Sequence, residues 1–290
     1  MAIASEDAIE RLSMLTDEAD DLLKATFQNM HQGHLTHTLM RFLKAREWSV
    51  PKAHEMLVNC LNWRVQNQID DILSKPITPA GLYRGIRESQ LIGLSGYSKQ
   101  GFPVFAIGAG LSTFDKASVR DYVQSHIQIN EYRDRVILPA ASKKYGRHVG
   151  TCYKILDMTG LKFSSLSQIK VVKPLLQERT RRKIQVLQGC GRDELLKIMD
   201  YASLPHFCRR EGSSCSGGAA ADCYSLDHPF HQQLYRYMKR EAERKEAENG
   251  GKLGKEGSFP VEVPIPEAII EWELHNKLGD ASGRAMDTPS

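Results

Sequence analysis

The stretch LIGLSGYSKQGFPVFAIGAG, residues 91–110, limits the possible folds more than any other part of the chain. Two short apolar runs, 91–94 and 102–107, flank a polar turn that holds Gly96 and Gly101, which is the pattern of a β-hairpin. Upstream, apolar residues recur at helical spacing. Downstream, residues 115–138 return to that spacing. A chain that passes from period 3.6 to period 2 and back is not a helical bundle. It must lay helices against a sheet.

Upstream of the hairpin, one helix is expected over residues 5–30. Ser5 is its cap, and Ile9, Leu12, Leu15, Leu22, Leu23 and Phe27 form its apolar stripe. A second is expected over 36–47. A third starts near Ser49, with Pro51 in the first turn, where a missing N–H is harmless. Downstream, the helix at 115–138 is expected to end at Pro139. HVGTCYKILDMTG then gives a strand over 151–157 that stops at Asp157. A short helix and a strand KIQVL over 183–187 follow. RDELLKIMD reads as a helix and LPHFC as an edge segment. Strands alternating with helices imply a mixed, partly parallel sheet with helical crossovers. EGSSCSGGAAAD reads as a loop, 231–248 as a charged helix, GGKLGKEGS as linker, 266–278 as a last helix, and the final residues as a disordered tail.

Composition narrows the function. The net charge of +4, from 39 basic and 35 acidic residues, does not call for nucleic acid; it permits weak attraction to an anionic membrane surface. Phe42, Phe105 and Phe114 lie in apolar patterns and are not interleaved with Arg and Lys as base-stacking platforms are. No run of eighteen apolar residues could span a bilayer. The N-terminus carries acidic residues where a signal peptide carries basic ones. Six cysteines in such a chain read as free thiols. These features predict a cytoplasmic protein that visits membranes from outside; a monomer, with the Golgi or the plasma membrane as candidate destinations, is the accompanying expectation.

Signatures of catalysis are scarce. There is no GxxxxGK[ST], the GCG at 189–191 is too short for a dinucleotide fingerprint, and GLSGY is not GxSxG. No enzyme activity and no cofactor are expected. His206, Cys208, Cys215, Cys223 and His228 lie close in sequence but never as CxxC, so no metal is expected either. His126 reads as a packed or surface histidine. Two basic clusters stand out: Arg41, Lys44 and Arg46 in MRFLKARE, and Arg179, Arg181, Arg182 and Lys183 beside Thr180 in ERTRRK. Guanidinium forks and ammonium groups suit phosphate oxygens. On charge alone, both clusters read as solvated faces.

Taken in order, TLMRFLKAREWSVPKAHEMLVNCLNWR, GFPVFAIGAG, YKILDMTGL, VVKPLLQERTRRKIQVL and ELLKIMDYASLPHF resemble the CRAL-TRIO family over residues 36–230. The nearest likeness is to its Sec14-like phosphatidylinositol/phosphatidylcholine transfer branch. The resemblance implies an N-terminal helical tripod over 1–78. A lipid-binding domain over 79–230 follows, with a sheet floor and a movable gate helix, and 231–290 form a charged helix and tail. It implies that one phospholipid lies in an apolar cavity that shields its acyl chains from water. By the same resemblance Arg46, Lys183 and Thr180 hold the head group, while Phe105, Ile107, Tyr153 and Ile155 line the cavity. The small hydroxyl residues of the family's choline pocket are replaced by Cys152 and Lys154. Phosphatidylinositol is therefore the expected ligand, with phosphatidylcholine second.

One feature departs from the family. Between Lys170 and Val171 the chain runs from SQIK straight into VVKP. Family members carry roughly thirty further residues there, including a core strand, a loss beyond ordinary loop variation. The junction looks like that of a splice variant. The strands at 151–157 and 183–187 must then close up or keep unpaired edges. The expectation is that lipid binding survives and transfer is impaired. The alternative is a phosphoinositide-sensing regulatory or interaction protein without transfer activity.

Overall fold

The computed structural model describes residues 2–161, 182–209 and 222–248. The junction at Lys170–Val171, the gate-helix region with Thr180, most of the Gly-rich loop, the linker and the expected helix at 266–278 lie outside the described residues.

The N-terminal third is helical: α1 (Ala2–Asp17), α2 (Asp21–His31), α3 (Leu35–Ala45) and α4 (Val50–Gln66). The single helix expected over 5–30 is two. The chain breaks at Asp20, which takes an extended conformation and accepts a bond from the Leu23 N–H, capping α2. Ser5 lies inside α1 and does not start it. Leu12, Leu39, Leu43, Ala53 and Leu57 are fully buried and make this unit's own core. A 3-10 turn (Ile69–Ser74) and α5 (Ala80–Ser89) lead to the sheet.

β1 (Ile92–Tyr97) and β2 (Pro103–Ile107) form the expected antiparallel hairpin, with a bulge between Leu94 and Gly96. Gly101 turns the chain at φ +80°, and the Tyr145 ring sits where a Cβ would be. β2 pairs in parallel with β3 (Tyr153–Leu156), so the sheet has the order β1-β2-β3. Asp157 ends β3: its N–H bonds Ile107 O at 2.7 Å, and its carboxylate accepts from Thr159 N at 2.9 Å.

The crossover is α6 (Val119–Tyr132), a π turn (Arg133–Ile137) and α7 (Leu138–Tyr145). A Ser118–Asp121 capping box starts α6, so the helix begins after Asp115. Nor does Pro139 stop it. The Leu138 N–H reaches back to Arg133 O, five residues away, and this wider turn lets α7 start with Pro139 in its first turn.

The expected strand 183–187 does not form. Residues 184–187 have no regular structure, and Lys183, Ile184, Gln185 and Val186 are exposed. A β-rich sequence needs a neighbouring strand to become one. Among the described residues β3 pairs with β2 alone. LPHFC is not an edge segment either: it holds the short helix α9 (His206–Arg209), which follows α8 (Arg192–Ile198) and a 3-10 turn.

α10 (Pro229–Glu248) is the charged helix expected over 231–248, but its charges conceal a stripe of Phe230, His231, Leu234 and Met238, all buried. Phe230, Leu234 and Met238 join Phe105, Ile92, Tyr122, Ile129 and Tyr132 in the largest apolar cluster among the described residues. α10 is therefore part of the core of the sheet unit.

Candidate functional site

The residues that the family resemblance selects are brought to three places. Arg46 caps α3 at its C-terminus, half-buried, with its Nη1 donating to Ala45 O at 3.2 Å. The turn behind it is unusual. Glu47 and Trp48 are consecutive non-glycine residues in the left-handed region, at φ +52° and +64°. Such a residue costs roughly 1–3 kcal/mol. The turn is closed by Trp48 N–H on Leu43 O at 2.8 Å and Ser49 N–H on Arg46 O at 2.9 Å. Lys183 stands exposed in a turn at the start of the 182–209 stretch. Thr180 lies outside the described residues.

The four expected cavity residues divide between the two faces of the sheet. In a parallel pair, register partners share a face. Val104 pairs with Tyr153 and Ala106 with Ile155, whereas Phe105 pairs with Lys154 and Ile107 with Leu156. Phe105 and Ile107 therefore face α6 and α10. Phe105 is 3% exposed and meets the Phe230 ring edge-to-face at 5.8 Å. It belongs to the cluster that includes Ile92, Tyr122, Ile129, Tyr132 and Phe230. Tyr153 and Ile155 face the other way, half-buried against Val104, Leu195 and Leu187. Ile184 and Val186, just before Leu187, are 41% and 72% exposed, and Leu156 at the end of β3 is 53% exposed. Apolar side chains are thus uncovered at the end of β3 and in the segment before α8, while Val104, Phe105 and Ala106 of β2 are buried.

Positive charge occupies the same sheet edge. Lys154 is exposed on β3, and both it and Arg133 act electrostatically on His126. Burial, then Lys154, Arg133 and Arg87, push the His126 imidazole down to about 4, so it is neutral at pH 7. Arg133 is partly neutralised by its fork on Asp134, at 2.7 and 3.0 Å. Burial raises the Cys152 thiol. Where the family resemblance places a choline pocket, this chain presents ammonium and guanidinium groups.

A cleft of about 570 Å³ lies between Tyr132, Val136 and the outer side of α10, where Arg236, Tyr237 and Arg240 border it. None of the expected site residues lines it.

Two groups that composition did not reveal are assembled by the fold. His34, His37 and His148 converge, and so do His206, Asp222 and Cys223. In the second group His206 Nδ1 is 3.0 Å from Asp222 Oδ1, and burial raises the Cys223 thiol to about 12. The sequence reading singled out His206 and Cys223 but missed the first group altogether, because His148 is remote from the other two in the chain.

The N-terminal unit is joined to the rest by ions. Arg64 on α4 forks onto Glu131 of α6 at 2.9 Å twice and bonds Asp70 at 2.7 Å; Arg135 also reaches Glu131, at 2.9 Å. No helix among the described residues is long and apolar enough to cross a membrane.

Comparison with known proteins agrees with the fold. Residues 6–59 match the model for the CRAL/TRIO, N-terminal domain. The chain is 24% identical to the phosphatidylinositol/phosphatidylcholine transfer protein SFH9 of Arabidopsis thaliana, over 64% of this chain and 38% of that protein. It is 26% identical to SFH11 of the same plant, described in the same words, over 71% of this chain and 64% of the relative. It is also 26% identical to the SEC14 cytosolic factor of Eremothecium gossypii, over 66% of this chain and 76% of that protein. The aligned part is thus under two thirds of the length of the first two. The names of those two describe phosphatidylinositol/phosphatidylcholine transfer. A matched N-terminal domain, a mixed α/β body and these relatives make the chain similar to the CRAL-TRIO proteins of the Sec14-like kind.

Proposed function

We propose that the chain binds a single phospholipid, with phosphatidylinositol preferred, and transfers it between membranes poorly. The observation that carries this reading is the set of uncovered apolar side chains: Ile184 and Val186 in the segment before α8, Leu156 at the end of β3, and Tyr153 and Ile155, only half-covered, on that strand's other face. Acyl chains are the partners such a surface lacks, at about 0.8 kcal/mol per buried methylene. Arg46 and Lys183 are the proposed head-group ligands, with Thr180 as a third. Lys154 and Arg133 near the sheet edge repel a quaternary ammonium and attract a phosphate. This supports an inositol lipid over a choline lipid. Poor transfer follows from a narrow floor: β3 has one partner among the described residues, and Phe105 is held by Phe230. A chain that holds its lipid without exchanging it would act as a sensor or presenter of phosphoinositide at a membrane surface.

Transfer of fluorescent phosphatidylinositol between vesicles tests both parts. The chain is expected to bind the lipid but exchange it slowly, and a version with a relative's segment inserted between Lys170 and Val171 is expected to exchange it faster. Arg46→Ala and Lys183→Ala are expected to weaken binding of phosphatidylinositol vesicles. Equal transfer rates with and without the insert refute the impairment. Binding untouched by both substitutions refutes the head-group assignment.

A further inference from the structure

We propose that His34, His37 and His148 form a binding site for one divalent transition-metal ion, with zinc as the reference ion, that ties the N-terminal helical unit to the loop before β3. His34 sits at the N-cap of α3 and His37 three residues on, so both rings leave the same first helical turn. His148 comes from the loop between α7 and β3. Its ring centroid lies 4.4 Å from that of His34 and 4.0 Å from that of His37. One ring nitrogen from each of the three falls within 4.8 Å of the others.

Two further observations favour a ligand. Nδ1 of His148 is buried and has no hydrogen-bond partner. A buried nitrogen with nothing to bond is costly unless something fills the position. His34, in turn, occupies a cap position yet makes no capping bond with its side chain, so its ring is not committed to the helix end. The three rings are tilted or edge-on to one another, at 88°, 53° and 36°, and no hydrogen bond is seen among them; a shared cation supplies a reason for their convergence.

The donor set decides the class of ion. Imidazole suits zinc, copper and nickel, whereas magnesium and calcium seek oxygen. Zinc–nitrogen bonds of about 2.0–2.1 Å put tetrahedral ligand nitrogens about 3.4 Å apart, so small ring rotations close the present 4.8 Å spread. Three protein ligands leave a fourth position. Water suits that position, as at other three-ligand zinc sites. The other metal-like group is a weaker candidate, since Nδ1 of His206 is already engaged by Asp222.

The test uses the full chain without a histidine tag, stripped with a chelator and titrated with zinc chloride by calorimetry and native mass spectrometry. One zinc per chain is expected, not displaced by excess magnesium. His37→Ala, an exposed position, and His148→Ala are each expected to weaken binding on the order of a hundredfold. His54→Ala, on α4 and not a member of the group, is expected to leave it unchanged. Hydrogen exchange in residues 146–149 should slow on adding zinc to the parent chain and not to His37→Ala. Absence of stoichiometric uptake, uptake unchanged in both His37→Ala and His148→Ala, or uptake abolished instead by Cys223→Ser each overturns the proposal.

Discussion

The Phe105 ring on β2 meets the Phe230 ring on α10 edge-to-face, with centroids 5.8 Å apart. This contact ties the strand that carries Phe105 to α10 within one apolar cluster. Edge-to-face geometry is favoured because the positive ring edge meets the negative ring face.

If α10 is part of that core, truncating Phe230 is severe. Phe230 is 3% exposed and also lies 6.2 Å from the Tyr132 ring. Phe230→Ala is expected to cost about 3–5 kcal/mol, measured as a fall in the urea midpoint. Tyr235→Ala, at a 39% exposed position of the same helix, is expected to cost much less. Equal losses at the two positions would show that α10 is held by its charges and not by its apolar stripe.

Arg64 and Glu131 join the helical unit to α6, with side chains 8% and 10% exposed. Removing one member of a buried pair strands the other. Glu131→Ala should therefore cost about 3 kcal/mol, the lower end for such a change, because Asp70 still faces the guanidinium. Burial limits screening, so added salt should change this loss little. A loss that vanishes at high salt contradicts the assignment.

His231 makes stability depend on acid. Its Nε2 lies 3.0 Å from Cys223 O, and its Nδ1 lies 3.3 Å from Arg87 Nη2, an arrangement that suits an imidazole protonated at Nε2 alone. Burial, then Arg87, push its pKa down to about 3, against about 6.5 in an unfolded chain. Between those values the unfolded chain takes up the proton first. This contribution to stability is intact above about pH 6.5 and falls as pH drops towards 3. Chemical unfolding at several pH values should give a shallower acid slope for His231→Gln than for the parent. Identical slopes contradict the neutral buried imidazole.

Much of this architecture is legible in the residues themselves. The hairpin at 91–110, the start of α4 at Val50–Pro51 and the end of β3 at Asp157 follow from local chemistry, and the structure places them close to expectation. What was not legible depends on distant partners. Pro139 reads as a helix stop, yet a π turn just before it absorbs the missing bond. KIQVL has a strand's composition but stays exposed, because a strand also needs an edge to pair with. α10 hides its apolar stripe among many charges, and the stripe becomes visible only against Phe105. The division of Phe105 and Ile107 from Tyr153 and Ile155 is a matter of register between two strands that the sequence reading treats separately. Three histidines from two distant segments leave no local pattern at all.

The central claim is that this chain holds one phospholipid, and the mass of the intact chain under native conditions tests it most directly. After incubation with vesicles of mixed phosphatidylinositol and phosphatidylcholine, a second peak heavier by one phosphatidylinositol is predicted, diminished by Arg46→Ala. A spectrum of the bare chain alone, with the same protein folded by circular dichroism, contradicts it.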